Sequence, residues 1–282
     1  MPAQAQDRDF SKVEVKAIPV AGSVHMLTGA GGNIGASAGP DGILIVDDQF
    51  APLADRIKQA LAGINPGKLK FILNTHYHGD HTGANPAFGK DATIIAQQNV
   101  RTRLMTPQTL FGEVRPALPA EAWPVITFDQ SVSVHFNGEE VRVVHFPSGH
   151  TDGDSVVFFN GSNVVHMGDL FFNGMFPFID SDHGGDVKGY IADVDAIAKQ
   201  LPPGAKIIPG HGPLAGAAEL AAFQRMLHET SRIVGERIKA GKSVDECKKL
   251  GLPDEWKSWS TDFISTEKWV ETLHKGLSAT VQ

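Results

Sequence analysis

Phe71-Ile72-Leu73-Asn74-Thr75-His76-Tyr77-His78-Gly79-Asp80-His81 is the stretch on which the reading of this chain turns. Its apolar first half reads as a buried strand, and three histidines and an aspartate crowd the residues just after it. With 12 histidines in 282 residues, such a run should arise by chance at fewer than about one start in 10⁵, far more selective than a lone GxGxxG. Side chains alternate along an extended chain, so His76 and His78 project to the same side. Past the flexible Gly79, Asp80 and His81 can turn toward a point beside that first pair. The spacing offers two neighbouring ligand sets.

Outward from this run, three more polar groups stand at strand-to-loop junctions beside glycine. They are Ser148-Gly149-His150-Thr151-Asp152, Gly168-Asp169, and Pro209-Gly210-His211-Gly212. An α/β sheet presents its functional groups at such strand ends, so the three can converge with the first run on one sheet edge. Strands are expected over 13–18, 42–46, 70–74, 92–96, 131–136, 140–146, 155–159 and 163–167, with a short one at Ile207-Ile208. Leu53, Ile57, Leu61 and Ile64 form one helical stripe, and Ile191, Val194, Ile197 and Leu201 another. From Ala217 onward the chain reads as helical, with a further helix starting at the Ser243-Val244-Asp245-Glu246 capping box. The order of elements, roughly repeated in two halves, suggests two sheets packed face to face with helices outside them. Residues 1–282 are read as one domain, with 1–12 a flexible remnant of a signal segment and 216–282 a C-terminal helical part.

The run His-x-His-x-Asp-His, followed by a lone His, an Asp after Gly and a His after Pro-Gly, resembles the metallo-β-lactamase superfamily of metal-dependent hydrolases over about residues 13–215. The resemblance implies a four-layer αββα sandwich with the metal site at the edge of the two sheets. It implies that His76, His78 and His150 bind a first zinc, that Asp80, His81 and His211 bind a second, and that Asp169 bridges them. Five imidazoles and two carboxylates suit zinc or another borderline transition metal, whereas magnesium or calcium would want mostly oxygen. The cofactor expected is two Zn²⁺ per chain. Three imidazoles on one ion leave a position open for water, which is a catalytic arrangement. The expected chemistry is attack by a metal-bridging hydroxide on a polarised carbonyl, with Asp80 orienting the hydroxide. The bridging aspartate resembles thioesterases and lactonases of the superfamily more than its true β-lactamases. The glycine-rich stretch Gly22–Gly35, by contrast, sits where lactamases carry a mobile flap. β-Lactam hydrolysis is the first expectation, with lactone, ester or thioester close behind. An iron-dependent redox enzyme and a catalytically idle metal-binding protein are the alternatives on this fold.

Around the site, Phe172, Asn173, Phe176 and His183 are candidate substrate contacts, and Asp47 is a candidate hydrogen-bond partner for a histidine ligand. Core packing is the competing reading of Phe172, Asn173 and Phe176, plain exposure that of His183, and a plain turn carboxylate that of Asp47. The segment Met105–Trp123 is expected to wall the cleft or cap a sheet edge, while Tyr77 is expected to point away and pack. Cys247, the lone cysteine, excludes an internal disulfide and is expected to be a small buried side chain. The balance of 25 basic and 32 acidic residues gives a net charge of −7 and disfavours nucleic acid as a partner. No apolar run approaches the ~18 residues that span a bilayer, so membrane insertion is not expected either. The partner expected is a small carbonyl substrate. Pro2-Ala3-Gln4-Ala5-Gln6 resembles the tail of a trimmed secretory signal, hence a periplasmic or secreted address, with a frayed N-terminus as the competing reading.

Overall fold

The computed structural model describes residues 9–278; the first eight residues, on which the signal-remnant reading mainly rests, lie outside it. The Phe10 ring packs, tilted, against Phe50 at 5.3 Å, and the Val13 carbonyl accepts from Arg56 Nη1 at 2.8 Å.

Strands and helices follow in chain order. β1 (Lys16–Ala21), β2 (Val24–Thr28), β3 (Ile34–Gly39) and β4 (Gly42–Val46) precede α1 (Ala54–Ile64) and β5 (Leu69–Asn74). Next come α2 (Gly79–Thr82), α3 (Asn85–Phe88), β6 (Thr93–Gln97), α4 (Gln98–Leu104), β7 (Gln108–Leu110), β8 (Glu113–Arg115) and β9 (Ile126–Phe128). The second half runs β10 (Ser131–Phe136), β11 (Glu139–His145), β12 (Ser155–Phe159), β13 (Val164–His166), α5 (Val187–Gln200) and β14 (Lys206–Ile208). It closes with α6 (Ala217–Lys239), α7 (Val244–Leu250) and α8 (Thr266–Ser278).

One sheet has seven strands in the order β1-β2-β3-β4-β5-β6-β9, the other five in the order β10-β11-β12-β13-β14. Strand alternation sorts their side chains between two layers of core. Leu44, Val46 and Leu73 face Val141, Val143, Val157 and Phe159 between the sheets. Their chain neighbours Ile43, Ile45 and Ile72 turn outward onto Ile57 and Leu61 of α1. On the other side Val156, Phe158 and Val165 turn outward onto Val194 and Ile197 of α5, Phe223 of α6 and Trp269 of α8. The result is the four-layer αββα sandwich. Cys247 is fully buried against that last layer. Ser243 caps α7 and closes its capping box with Glu246.

Two expectations are corrected. The first strand runs from Lys16 rather than Val13, and Lys16 to Ala21 edges the sheet. The stretch Gly22–Gly35 is mostly sheet rather than flap: β2 and β3 pair in register through it, with Val24, Met26 and Leu27 buried, and only the turns at residues 22–23 and 29–33 are free of strand. The glycines of the second turn serve close packing instead of mobility, as the metal centre shows.

Candidate metal centre

The seven residues that the motifs single out come together at one edge of the paired sheets. His76 and His78 follow the end of β5, and His78 is the N-cap of the short α2, which carries Asp80 and His81. His150 sits between β11 and β12, Asp169 in a single turn after β13, and His211 three residues past β14. Facing atoms of His76, His78, His150 and Asp169 all lie within 4.8 Å of one another, as do those of Asp80, His81 and His211. Asp169 belongs to both sets. Its Oδ2 is 3.4 Å from His150 Nε2 and 3.8 Å from His76 Nε2, while its Oδ1 is 3.1 Å from His81 Nε2 and 3.4 Å from His211 Nε2.

The donor set fits a divalent metal. Imidazole nitrogens crowd together, His150 Nε2 and His76 Nε2 standing 2.8 and 3.1 Å from His78 Nδ1. Three such nitrogens cannot all be satisfied by one another's protons. Asp169 Oδ1, buried, makes no hydrogen bond at all. Charge points the same way. Burial drives His76 and His150 toward the neutral form, His150 down to about 4. Burial also opposes charge on His81 and His211, yet Asp169 and the other nearby carboxylates prevail, and His211 is pushed up to about 9. Asp80 and Asp169 are ionised although burial opposes it, because the imidazoles around them hold both below the usual carboxylate range. Such a centre attracts positive charge.

The outward nitrogens explain the orientation of each ring. His76 Nδ1 bonds Thr75 Oγ1 at 3.0 Å, His150 Nδ1 donates to the Phe178 carbonyl at 2.8 Å, and His81 Nδ1 donates to Asp47 Oδ2 at 2.7 Å. His78 is reversed: its Nε2 donates to Asp180 Oδ2 at 2.9 Å, so Nδ1 faces inward. His211 is held by stacking on Phe172 at 5.0 Å. Partners of this kind fix the tautomer and raise ligand basicity.

Asp47 serves both sets. It receives His81 Nδ1 directly, and it also receives Thr75 Oγ1 at 2.7 Å, the same hydroxyl that accepts from His76. Its backbone has φ 63°, a left-handed conformation that costs a non-glycine residue about 1–2 kcal/mol. Bonds from Thr75 N to its carboxylate and from its own N to the Leu73 carbonyl hold it there. Its neighbour Asp48 turns away to the Ala84 N–H. The turn Gly29–Asn33 presses on the opposite side: a Cβ on Gly32 would fall 2.1 Å from the His81 ring.

Two candidate substrate contacts lie elsewhere. Asn173 donates Nδ2 to the Pro213 carbonyl at 2.9 Å and pins two loops together. His183 is buried, with Nδ1 donating to Asp180 at 2.8 Å, and braces that carboxylate. Phe172 and Phe176 do line a cavity of about 910 Å³ that opens from His78, Asp80 and His211. The segment Met105–Trp123 walls it through the β7–β8 hairpin. Tyr77 lines it too and is more than packing, since its hydroxyl donates to Asp180 Oδ2 at 2.6 Å. Asp180 itself, the hub of Tyr77, His78 and His183, escaped the sequence reading. Nothing in Ile179-Asp180-Ser181-Asp182 distinguishes it from an ordinary loop acid.

Among proteins of known function, the chain is 27% identical over 159 residues to the 2,4-dinitroanisole O-demethylase subunit alpha of Nocardioides sp., covering 55% of this chain and 46% of that one. It is 30% identical over 161 residues to a hydroxyacylglutathione hydrolase of Nitrosococcus oceani, covering 57% of this chain and 55% of that one. It thus spans about half the length of these relatives. The fold is shared with the sec-alkylsulfatase Pisa1 of Pseudomonas sp., with TM-score 0.71 and 14% identity over 95% of this chain and 52% of that one. Residues 39–211, more than half of the chain and all seven clustered side chains, match the profile of one family. The chain belongs to the metallo-beta-lactamase superfamily.

Proposed function

We propose that this protein is a di-zinc hydrolase that cleaves an acyl bond, with a thioester or ester as its substrate. The observation that carries the reading is the Asp169 carboxylate, whose two oxygens face two separate imidazole sets. In this reading His76, His78 and His150 would hold one ion, Asp80, His81 and His211 would hold the other, and Asp169 would serve both. A bound divalent pair supplies acidified water and a Lewis acid for the carbonyl oxygen.

The chain's own residues do the rest. Asp80, on the cavity wall beside His211, is placed to accept the hydrogen bond of the attacking water and aim it. Phe172 and Phe176, both buried, give the same cavity an apolar lining. The phenol of Tyr77 is committed to Asp180, and burial together with that carboxylate holds its proton firmly. It is a poor acid for a departing amine, whereas a thiolate leaves without needing a proton. The hydroxyacylglutathione hydrolase relative supports the same choice. β-Lactam ring opening has less support, because the stretch expected to form a flap is a hairpin of the sheet.

The test is metal analysis followed by a panel of an acyl thioester, an ester, a lactone and a chromogenic cephalosporin, with and without chelator. Two zinc ions per chain and chelator-sensitive thioester or ester cleavage are expected. Fewer than one metal per chain, or turnover that survives full chelation, overturns the reading. Faster turnover of the cephalosporin than of either acyl substrate reassigns it to β-lactams.

A further inference from the structure

The cavity beyond the metal centre has a chemical character of its own. From one side it is walled by Leu104, Leu110, Phe111 and Leu118, and from the other by Met175 and Phe263. Phe111 forms the tip of the β7–β8 hairpin and packs on Phe178 at 4.9 Å. Phe178 in turn lies 5.8 and 5.7 Å from the rings of His78 and His150. Phe178, half-buried and outside the lining itself, thus ties Phe111 to the ligand set through ring contacts, and the apolar wall of the cavity lies outward of it. Phe111 and Phe263, 44% and 52% exposed, end it at the mouth and face each other at 6.0 Å.

Charge on the same lining is negative or already matched. Its two cations are Arg103 and Arg115. Arg103 donates Nε to Asp152 Oδ1 at 2.7 Å and spreads over the Tyr77 ring at 5.4 Å. Arg115 pairs with Glu113 at 3.3 Å. Asp262 adds an acidic group, while Asp80 is committed to the second ion of the proposed reading. A substrate with a carboxylate far from its reacting carbonyl would bring that charge to an apolar wall or against Asp262, and both are unfavourable.

Resting on the proposed hydrolysis, we propose that the substrate is an uncharged thioester or ester whose acyl group carries a flexible hydrocarbon arm, and that the arm lies between the β7–β8 hairpin and Phe263. An acyl group ending in a carboxylate, or a leaving group rich in carboxylates, is disfavoured by the same walls. Burial of one methylene is worth at most about a fourfold gain in affinity.

Binding and turnover test this separately. Isothermal titration of the zinc-loaded protein with acetamide, octanamide and suberic acid monoamide compares a bare amide, an alkyl arm, and an arm of similar length ending in a carboxylate. Octanamide should bind at least tenfold tighter than either of the others, and the double variant F111A/F263A should lose most of that advantage. Both side chains are largely exposed, and circular dichroism checks that the variant folds. Equal binding of the three amides, or tighter binding of the monoamide, overturns the proposal, as does an octanamide advantage that the double variant retains in full. N-acetylcysteamine thioesters from acetyl to octanoyl are the turnover arm. Chelator-sensitive cleavage with no chain-length preference overturns this proposal and leaves the hydrolase intact. Chain-dependent amide binding with no cleavage of any thioester or ester supports the pocket and overturns the hydrolase.

Discussion

His78 donates Nε2–H to Asp180 Oδ2 at 2.9 Å, and this bond turns Nδ1 toward the other imidazoles, the reverse of His76, His81 and His150. Asp180 also receives Tyr77 and His183, so the orientation of one metal-facing ring is set by a carboxylate 102 residues away in sequence. Burial opposes its ionisation, but these donors hold it well below the usual carboxylate range. Asp180→Asn keeps the shape and removes the charge-assisted acceptor. It should weaken zinc binding to the first set by about 10–100-fold, the usual cost of losing such a partner. Competition against a fluorescent chelator measures it; an unchanged affinity would mean that His78 is oriented by something else.

Gly32 packs flat on His81, and a methyl group there would fall 2.1 Å from the ring, with the Asp47 carboxylate behind it. His81 has no room to retreat. Gly32→Ala should therefore displace the imidazole and reduce bound zinc from two ions to one, with far-ultraviolet circular dichroism unchanged. Elemental analysis after gel filtration reads the stoichiometry, and two retained ions would contradict the assignment of His81 to the second set.

The layers and the clustered side chains were legible because their signals are local. A strand followed by His76-Tyr77-His78-Gly79-Asp80-His81 carries its own geometry, and strand ends at Asp169 and His211 can be read from apolar runs stopped by glycine. What orients those ligands was not legible, since Asp180 reaches His78 across 102 residues and only the folded chain brings them together. Asp47 was legible as a candidate because it ends the apolar strand beside β5. The stretch Gly22–Gly35 misled for a physical reason: glycine signals either freedom or close approach, and at Gly32 it is close approach. The β7–β8 hairpin went unseen because its strands have three residues each around Phe111-Gly112, too short for a period to show.

Metal removal should cost stability without unfolding the chain. Both sheet-flanking cores and the layer between them are apolar and complete without the ligands, so the metal-free protein should keep its sandwich. Zinc present at 1,000 times its Kd would add about 4 kcal/mol by mass action for each of the two ions, about 8 kcal/mol together. For a chain of this size that corresponds to a Tm higher by roughly 15 °C. Differential scanning calorimetry with and without chelator checks it; a fully unfolded chelated protein would show that the ions are structural.

Asp193 on α5 gives a pH dependence independent of metal. Its Oδ2 is buried without a partner, and burial, only partly offset by the Ser148 N–H, pushes the carboxyl up to about 6. A carboxyl raised in the folded state is protonated there while the unfolded chain, with a value near 3.9, is already ionised. Its penalty is absent below about pH 4, grows as pH rises, and is complete above about 6. Full burial would make that shift worth about 3 kcal/mol, but solvent reaches the group from one side, and about 1 kcal/mol is expected. Asp193→Asn removes the charge at nearly constant shape. Urea unfolding of the metal-free proteins should find the variant about 1 kcal/mol more stable at pH 8 and only a few tenths more stable at pH 4.5. An equal difference at both pH values would assign the effect to packing rather than to ionisation.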